Sequence, residues 1–331
     1  MGSSFQAFTV TENQDGSFSS QIITKNIDDL PHGDILVHVK YSSLNYKDAL
    51  SATGHKGVTK SYPHTPGIDA VGTVQDSSHS DFNIGDQVIV SGYDMGMNTA
   101  GGFGEYIRVP KEWVSLLPQG LTIKESIILG TAGLTAGLSV SALDKKNGIE
   151  GRLAVVTGAT GGVGCLGVQL LSKLGAHVTA VTGKTDSVDF LKSIGAVEVI
   201  SREELAQNCR QPLSSGKWDI SIDVVGGETL AGLMTCLNLG GSVACCGNVG
   251  GPKIETTIFP YILRGNSLLG IDSGNIPISE KKKIWELFAN EWKLDLKGLS
   301  KEVTLNELDH EIHSILEGAQ KGRVIISLGG R

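Results

Sequence analysis

The chain has no C-x-x-C pair, no block of lysine and arginine, and no histidine at ligand spacing from a cysteine. Each absence removes a class of function. Its five cysteines, Cys165, Cys209, Cys236, Cys245 and Cys246, form an odd, scattered set. Such a set predicts reduced thiols that behave as small buried hydrophobes in a cytoplasmic protein, not a disulfide framework. The net charge of −7 without a basic cluster argues against nucleic acid as the main partner. It does not exclude an anionic cofactor, since a local pocket can be basic. No apolar run reads as long enough to span a bilayer, and no charged segment precedes an apolar one near the start, so no membrane role is expected. Met1-Gly2-Ser3-Ser4-Phe5-Gln6 opens like a myristoylation signal, but Gln6 stands where Ser or Thr is needed.

What is present is two textures. A chain of 331 residues exceeds one ordinary core and predicts about two domains. To about residue 120, short strand-like segments are broken by Gly, Pro, Asn and Asp. Ile35, Val37, Val39 and Tyr41 alternate on one face of a predicted strand. Ala70–Val74 and Asp86–Val90 are two more, with a turn at Asn83–Asp86. This is a β-rich domain. Beyond residue 120, predicted strands at Leu153–Thr157, Ala176–Thr182, Ile220–Val225, Ser242–Cys246 and Ser267–Ile271 alternate with helices at Gly162–Leu174, Asp186–Ile194 and Glu228–Leu237. The alternation means βαβ units and an α/β fold with a parallel sheet. Ser279–Glu291 and Leu308–Lys321 read as amphipathic helices, and Arg323–Leu328 as a last strand.

The sharpest local signal is the apolar strand Leu153–Thr157 running into Gly158-Ala159-Thr160-Gly161-Gly162-Val163-Gly164 and then a helix. Small residues let backbone approach a pyrophosphate, and a helix start offers free N–H groups and a positive dipole end. The bland alternative is a tight turn that packs a helix on a sheet. The next strand ends in Thr182-Gly183-Lys184-Thr185, with no acid at its tip to hold a ribose 2′-hydroxyl. A hydroxyl and a lysine suit a 2′-phosphate, and Arg202 adds a second charge. NADPH is therefore expected over NADH, unless Lys184 and Arg202 are merely solvated. Other strand ends predict further cofactor contacts: Val224, Val225 and Gly226 at the adenosine, Gly247 and Asn248 at the nicotinamide ribose, Ile271 and Asp272 flanking the nicotinamide. Arg264 is a candidate for a phosphate of cofactor or substrate, or for a surface ion pair. Arg323 is a weaker candidate of the same kind.

Ala159-Thr160-Gly161-Gly162-Val163-Gly164 resembles the motif of the medium-chain dehydrogenase/reductase superfamily, in its zinc-free quinone oxidoreductase branch. Ser43–Asp48, Pro66–Gly72, Gly102–Tyr106 and Gly130–Ala136 agree with it. Asn45–Asp48 and Leu263–Ser273 look like a narrower bacterial group, described as quinone oxidoreductases or acryloyl-CoA reductases. The resemblance implies a GroES-like catalytic domain over residues 1–121, a Rossmann doubly wound domain over 122–266, and a return to the catalytic domain over 267–331. It implies cofactor at the carboxyl ends of the parallel strands, Thr131 on a pyrophosphate oxygen, and a homodimer formed through the Rossmann domains.

Zinc alcohol dehydrogenases of that superfamily use a Cys, a Gly-His-Glu and a second Cys. Here Asn45, Gly67-Ile68-Asp69 and Gly133 stand at or near those places, so no metal is expected. Without a Lewis acid, the expected acceptor is already electrophilic: an enoyl thioester such as acryloyl-CoA, or a quinone. Tyr46 is the candidate acid or oxygen-polarising group and substrate contact. Asn45 is a candidate oxyanion donor, and Asp48 is expected to orient Lys47 or Tyr46 or to bind cofactor hydroxyls. The alternatives are a packed aromatic at Tyr46 and a helix cap at Asp48. A non-catalytic NADPH-binding sensor is the competing function, and would bind cofactor without turnover.

Overall fold

A computed structural model describes residues 4–329. Most of the myristoylation-like opening lies outside them. The chain divides into two compact units, Met1–Thr131 with Gly274–Arg331, and Ala132–Ser273.

The first unit begins with an antiparallel hairpin, β1 (Ser4–Glu12) and β2 (Phe18–Asn26). Then come β3 (Ile35–Leu44), the short helix α1 (Tyr46–Ala52), β4 (Asp69–Ser77), β5 (Gln87–Ser91), β6 (Tyr106–Val109) and β7 (Val114–Leu116). Ile35, Val37 and Val39 are buried as their alternation predicts, but Tyr41 is half-exposed. A register shift against β4 between Val39 and Tyr41 breaks the alternation, so Ser42 rather than Tyr41 is fully buried. Asp86 N–H bonds to the Asn83 carbonyl in the predicted turn.

Helix α2 (Ile123–Asn147) starts in this unit and continues into the next. It corrects the expectation that no apolar run is long enough to cross a membrane. By length and composition it is, yet 78% of its most apolar window is buried inside the protein. It is a core helix, broken at Gly130 (φ 49°, ψ −153°).

The second unit is a six-stranded parallel sheet. Its elements are β8 (Leu153–Val156), α3 (Gly162–Lys173), β9 (His177–Thr182), α4 (Val188–Ser193), β10 (Ala196–Ser201), α5 (Arg202–Asn208), β11 (Trp218–Asp223), α6 (Gly227–Cys236), β12 (Leu237–Cys245), α7 (Phe259–Arg264) and β13 (Ser267–Gly270). The spatial order β10-β9-β8-β11-β12-β13 is the doubly wound order, in which the chain reverses direction between β8 and β11. The parallel pairing puts every strand's carboxyl end along one edge.

The chain then returns to the first unit through α8 (Ile278–Ala289), β14 (Ser300–Val303), α9 (Leu308–Leu316) and β15 (Arg323–Ser327). There β14-β15-β3-β4-β5-β7 form one sheet, with β6 also on β3. Its core gathers Phe8, Val37, Val90, Phe103, Ile107 and Ile326. Helix α9 stops short of the predicted Lys321, where Gly318 takes a left-handed φ of 69°.

Three expectations change. Both unit boundaries lie later than 121/122 and 266/267, because the first turns of α2 stay with the first unit and β13 hydrogen-bonds to β12. Two thiols are not free: Cys209 and Cys236 are joined, with Cα atoms 5.5 Å apart. They close α5 and α6 in sequence, so their meeting is a consequence of helix packing that spacing alone does not reveal. With that bridge, cysteine usage no longer argues for a reducing compartment.

Candidate functional site

In the second unit, β8 delivers the chain into the glycine-rich turn, and α3 starts at its far side. Gly161 caps α3, and Gly161 N–H bonds to the Gly158 carbonyl at 2.9 Å. A β-carbon on Gly164 would stand 2.3 Å from that same carbonyl oxygen, so only glycine lets the turn close on its helix. Gly161, Gly162 and Val163 remain partly exposed, and the helix start leaves N–H groups without internal partners. This cradle fits a pyrophosphate. Thr160 is nearly buried. Ala159 is the exception among the expected contacts: it is fully buried and its N–H bonds to the Val181 carbonyl, so it has no donor to offer.

At the end of β9 the structure assembles the expected basic tip. Thr182 pairs in register with Ser201, which places Arg202 beside it. The Arg202 guanidinium carbon lies 3.0 Å from where a β-carbon of Gly183 would be. Lys184 N–H bonds to the Thr182 hydroxyl at 3.0 Å. Arg202 is exposed and Lys184 half-exposed, so two positive side chains flank one glycine.

The later strand ends lie along the same edge. Gly250 N–H bonds to the Val225 carbonyl, and Ile271 N–H to the Cys245 carbonyl. Val225, Gly247, Asn248, Ile271 and Asp272 are all at least partly exposed. Arg264 is corrected. Its guanidinium donates to the carbonyls of Ser214, Thr235 and Leu237, and so fastens α7 internally instead of waiting for a phosphate.

In the first unit, Asn45, Tyr46 and Asp48 surround the start of α1. Asp48, the third helical residue, reaches back to Asn45 N–H at 2.8 Å. Its other oxygen accepts from Ile68 N–H at 2.8 Å. Asp48 is fully buried, and burial first, then the Asp69 charge, push its carboxyl up to about 7. It orients Asn45 and the Ile68 backbone rather than Lys47, Tyr46 or a cofactor.

Asn45 is likewise committed. Its amide donates to Asp69 at 2.9 Å and Asp48 at 3.2 Å, and its oxygen accepts from Arg323 at 3.2 Å. Two amide hydrogens are spent on two carboxylates, which leaves none for a substrate oxyanion. Tyr46 differs. It is half-buried, and its phenol has no hydrogen-bond partner among the described residues.

Sequence reasoning missed the centre of this network, Asp69, and misjudged Arg323. Asp69 accepts from Ser43 Oγ (2.7 Å), Thr131 Oγ (2.7 Å) and Thr131 N–H (2.9 Å). Arg323, 2% exposed, donates to Ser43 Oγ and to the carbonyls of Ile128 and Leu44, and lies 3.9 Å from Asp69. It is an internal cation, too buried to meet a cofactor phosphate. Thr131 gives its hydroxyl proton to Asp69, so it has none for a pyrophosphate oxygen. Gly130 closes the cluster. A β-carbon there would stand 2.7 Å from Asp69 Oδ2 and 2.9 Å from an Arg323 nitrogen. The available signal was Asp69 itself, where a metal-site motif carries Glu.

Two family models match: the alcohol dehydrogenase GroES-like domain over residues 31–119, and the zinc-binding dehydrogenase over residues 162–290. Among similar proteins, "Putative quinone oxidoreductase YhfP" of Bacillus subtilis (strain 168) is 42% identical, spanning 99% of this chain and 100% of its own length. "Acrylyl-CoA reductase AcuI" of Ruegeria pomeroyi is 37% identical, over 98% of this chain and 99% of its own. The crystal structure of yhdH oxidoreductase from Salmonella enterica in complex with NADP superposes with a TM-score of 0.93 at 38% identity, covering 98% of this chain and 100% of that one. That of Bacillus subtilis yhfP with NAD bound gives 0.95 at 41%, with the same coverage.

The zinc in one model's description does not fit these residues. Asn45 offers an amide already bonded on both ends, and Asp69 is saturated by hydroxyl, amide and guanidinium donors, whereas zinc needs convergent free N, S or O donors. The pyrophosphate cradle does fit its cofactor class. With identity near two-fifths along nearly its whole length, this chain belongs to the medium-chain dehydrogenase/reductase superfamily, in the group of its quinone oxidoreductase- and acrylyl-CoA reductase-named relatives.

Proposed function

We propose that the protein is an NADPH-dependent, zinc-independent reductase of activated C=C bonds or quinones, with a short enoyl thioester of the acryloyl-CoA type as the preferred acceptor. The observation that carries it is the glycine cradle at α3 with the hydroxyl, lysine and arginine of Thr182, Lys184 and Arg202 at the next strand end. Two positive side chains, with no acid among Thr182–Thr185 at the end of β9, favour a 2′-phosphate over a bare ribose. The relatives named for acrylyl-CoA reduction and the one crystallised with NADP support the same reading.

NADPH, when bound, supplies the hydride. The chain's part is to seat the cofactor, orient the acceptor and provide the balancing proton. Gly161–Gly164 present backbone N–H groups to the pyrophosphate, and Lys184 with Arg202 pair with the 2′-phosphate. Tyr46 is the group with an unspent proton in its cluster, and it serves the acceptor's oxygen or α-carbon directly or through water. Asn45, Asp48, Asp69 and Arg323 fix the first turn of α1 that carries Tyr46. An acceptor whose double bond is already polarised by a thioester needs no Lewis acid.

We also infer a homodimer through the second unit. β13 ends its sheet with one edge open, and Ile258, Phe259, Ile262 and Leu263 of the preceding segment are exposed. A second copy related by a two-fold axis meets both features. Sedimentation of Ile262→Glu tests it: monomers are expected, and an unchanged dimer overturns this surface.

The functional test follows NADPH absorbance with acryloyl-CoA and a simple benzoquinone in parallel, and NADH as control. A kcat/KM well above that for quinone supports the thioester. Quinone turnover alone reassigns the acceptor. NADPH binding without any turnover supports a sensor instead.

A further inference from the structure

Asp223, the last residue of β11, is fully buried and forms no ion pair among the described residues. One oxygen accepts from Thr157 Oγ at 2.6 Å, and the other from Gly226 N–H at 2.7 Å. The Thr157 hydroxyl in turn accepts from Val224 N–H at 3.1 Å. The Asp223 backbone carbonyl accepts from Cys246 N–H at 3.0 Å. Thr157 immediately precedes the glycine turn, Gly226 lies in the turn after β11, and Cys246 in the turn after β12. One residue is therefore bonded to three successive turns on the carboxyl edge of the sheet. The turns touch with no slack: a β-carbon on Gly247 would stand 2.1 Å from the Val224 carbonyl oxygen.

We propose that Asp223 is the positioning residue that sets the spacing of these three turns, and so the geometry of the cofactor seat. This rests on the reading that the turns hold NADPH. The reason for an acid is stoichiometric. A hydroxyl and at least one backbone N–H converge from different sides, and only a carboxylate accepts on both oxygens. An amide keeps one acceptor only: its NH2 would face either the Gly226 N–H, an obligate donor, or the Thr157 hydroxyl, which would have to reverse and leave its own proton without this acceptor. Burial pushes the Asp223 carboxyl up, and the bonds from Thr157, Gly226 and Val225 pull against that shift. A buried charge without a cation is costly, and these donors are what offset it.

The test compares Asp223→Asn, Thr157→Val and Thr157→Ser with the wild type. It reads the NADPH dissociation constant by cofactor fluorescence, kcat at saturating NADPH, and Tm. The expected result is an NADPH Kd raised about tenfold or more in Asp223→Asn and in Thr157→Val, with kcat at saturation within about twofold. Thr157→Ser, which keeps the hydroxyl, restores wild-type affinity. Should Asp223→Asn fail to fold, the Thr157 pair carries the comparison, since valine matches threonine in shape. A lowered Tm with unchanged Kd in both variants, or a serine variant as weak as the valine one, overturns the proposal. Wild type that does not bind NADPH overturns the cofactor reading and this inference with it. Wild type that binds while both variants bind equally well overturns this inference alone.

Discussion

Asp69→Asn should unfold the first unit much more easily while leaving the second untouched. The substitution is nearly isosteric, so it probes charge and hydrogen bonding rather than volume. Asp69 and Arg323 are 0% and 2% exposed, and 3.9 Å apart. Loss of one partner leaves the guanidinium buried against carbonyls and a hydroxyl, and such a loss typically costs about 3–5 kcal/mol. The bonds that Arg323 keeps to the Ser43 hydroxyl and to the Ile128 and Leu44 carbonyls place the expected cost near the lower end, about 3 kcal/mol. The new amide also points NH2 at Ser43, Thr131 or Asn45, each of which now donates to Asp69. Urea unfolding followed by tryptophan fluorescence reads the effect, since Trp113, Trp285 and Trp292 lie in this unit. With a slope of about 3 kcal/mol per molar, the midpoint falls by about 1 M. The pH dependence gives a second reading. Asp48 is raised to about 7 in the fold, from 3.8, by burial and then by Asp69. A raised carboxyl contributes stability that is full below pH 3.8 and is lost as pH rises toward about 7. Without the Asp69 charge, Asp48 moves down and that loss becomes shallower. A midpoint within about 0.2 M of wild type, with an unchanged pH slope, would refute the reading of this cluster.

Gly164→Ala pushes a methyl into the Gly158 carbonyl, an overlap with backbone that typically costs about 1–3 kcal/mol; NADPH titration should show affinity reduced about tenfold or more. Lys184→Ala and Arg202→Ala should each raise KM for NADPH about tenfold and leave KM for NADH unchanged, and parallel loss with both cofactors would remove the 2′-phosphate assignment. Tyr46→Phe should lower kcat about 100-fold with unchanged NADPH Kd, and full turnover would take the proton-donor role away from Tyr46.

The second unit was largely legible in sequence because its information is local. An apolar strand, a glycine turn and a helix follow each other without a gap, so the phosphate cradle is written in consecutive residues. Thr182-Gly183-Lys184 is equally local, and register then brings Arg202 alongside. The first unit's cluster was not legible. Ser43, Asp69, Thr131 and Arg323 are scattered across the chain, and each reads alone as an ordinary polar residue. Arg323 looked like a phosphate ligand because charge alone suggests an anion; its actual partners are buried carbonyls and a carboxylate that only the packing of β3, β15 and α2 supplies. Arg264 misled in the same way.

Periodicity and turn chemistry, read from the sequence alone, therefore determined the α/β class, the parallel sheet and the place of the dinucleotide turn. These depend on neighbours in the chain. The tertiary structure decided which polar groups still have something to give. Asn45, Asp48, Thr131, Ala159, Arg264 and Arg323 are turned to buried internal partners, while Tyr46 and Lys184 are partly exposed to solvent and Arg202 is exposed. The physical reason is that a buried donor or acceptor must be paired, and the partner that satisfies it comes from wherever in the chain the fold brings one within 3 Å or so.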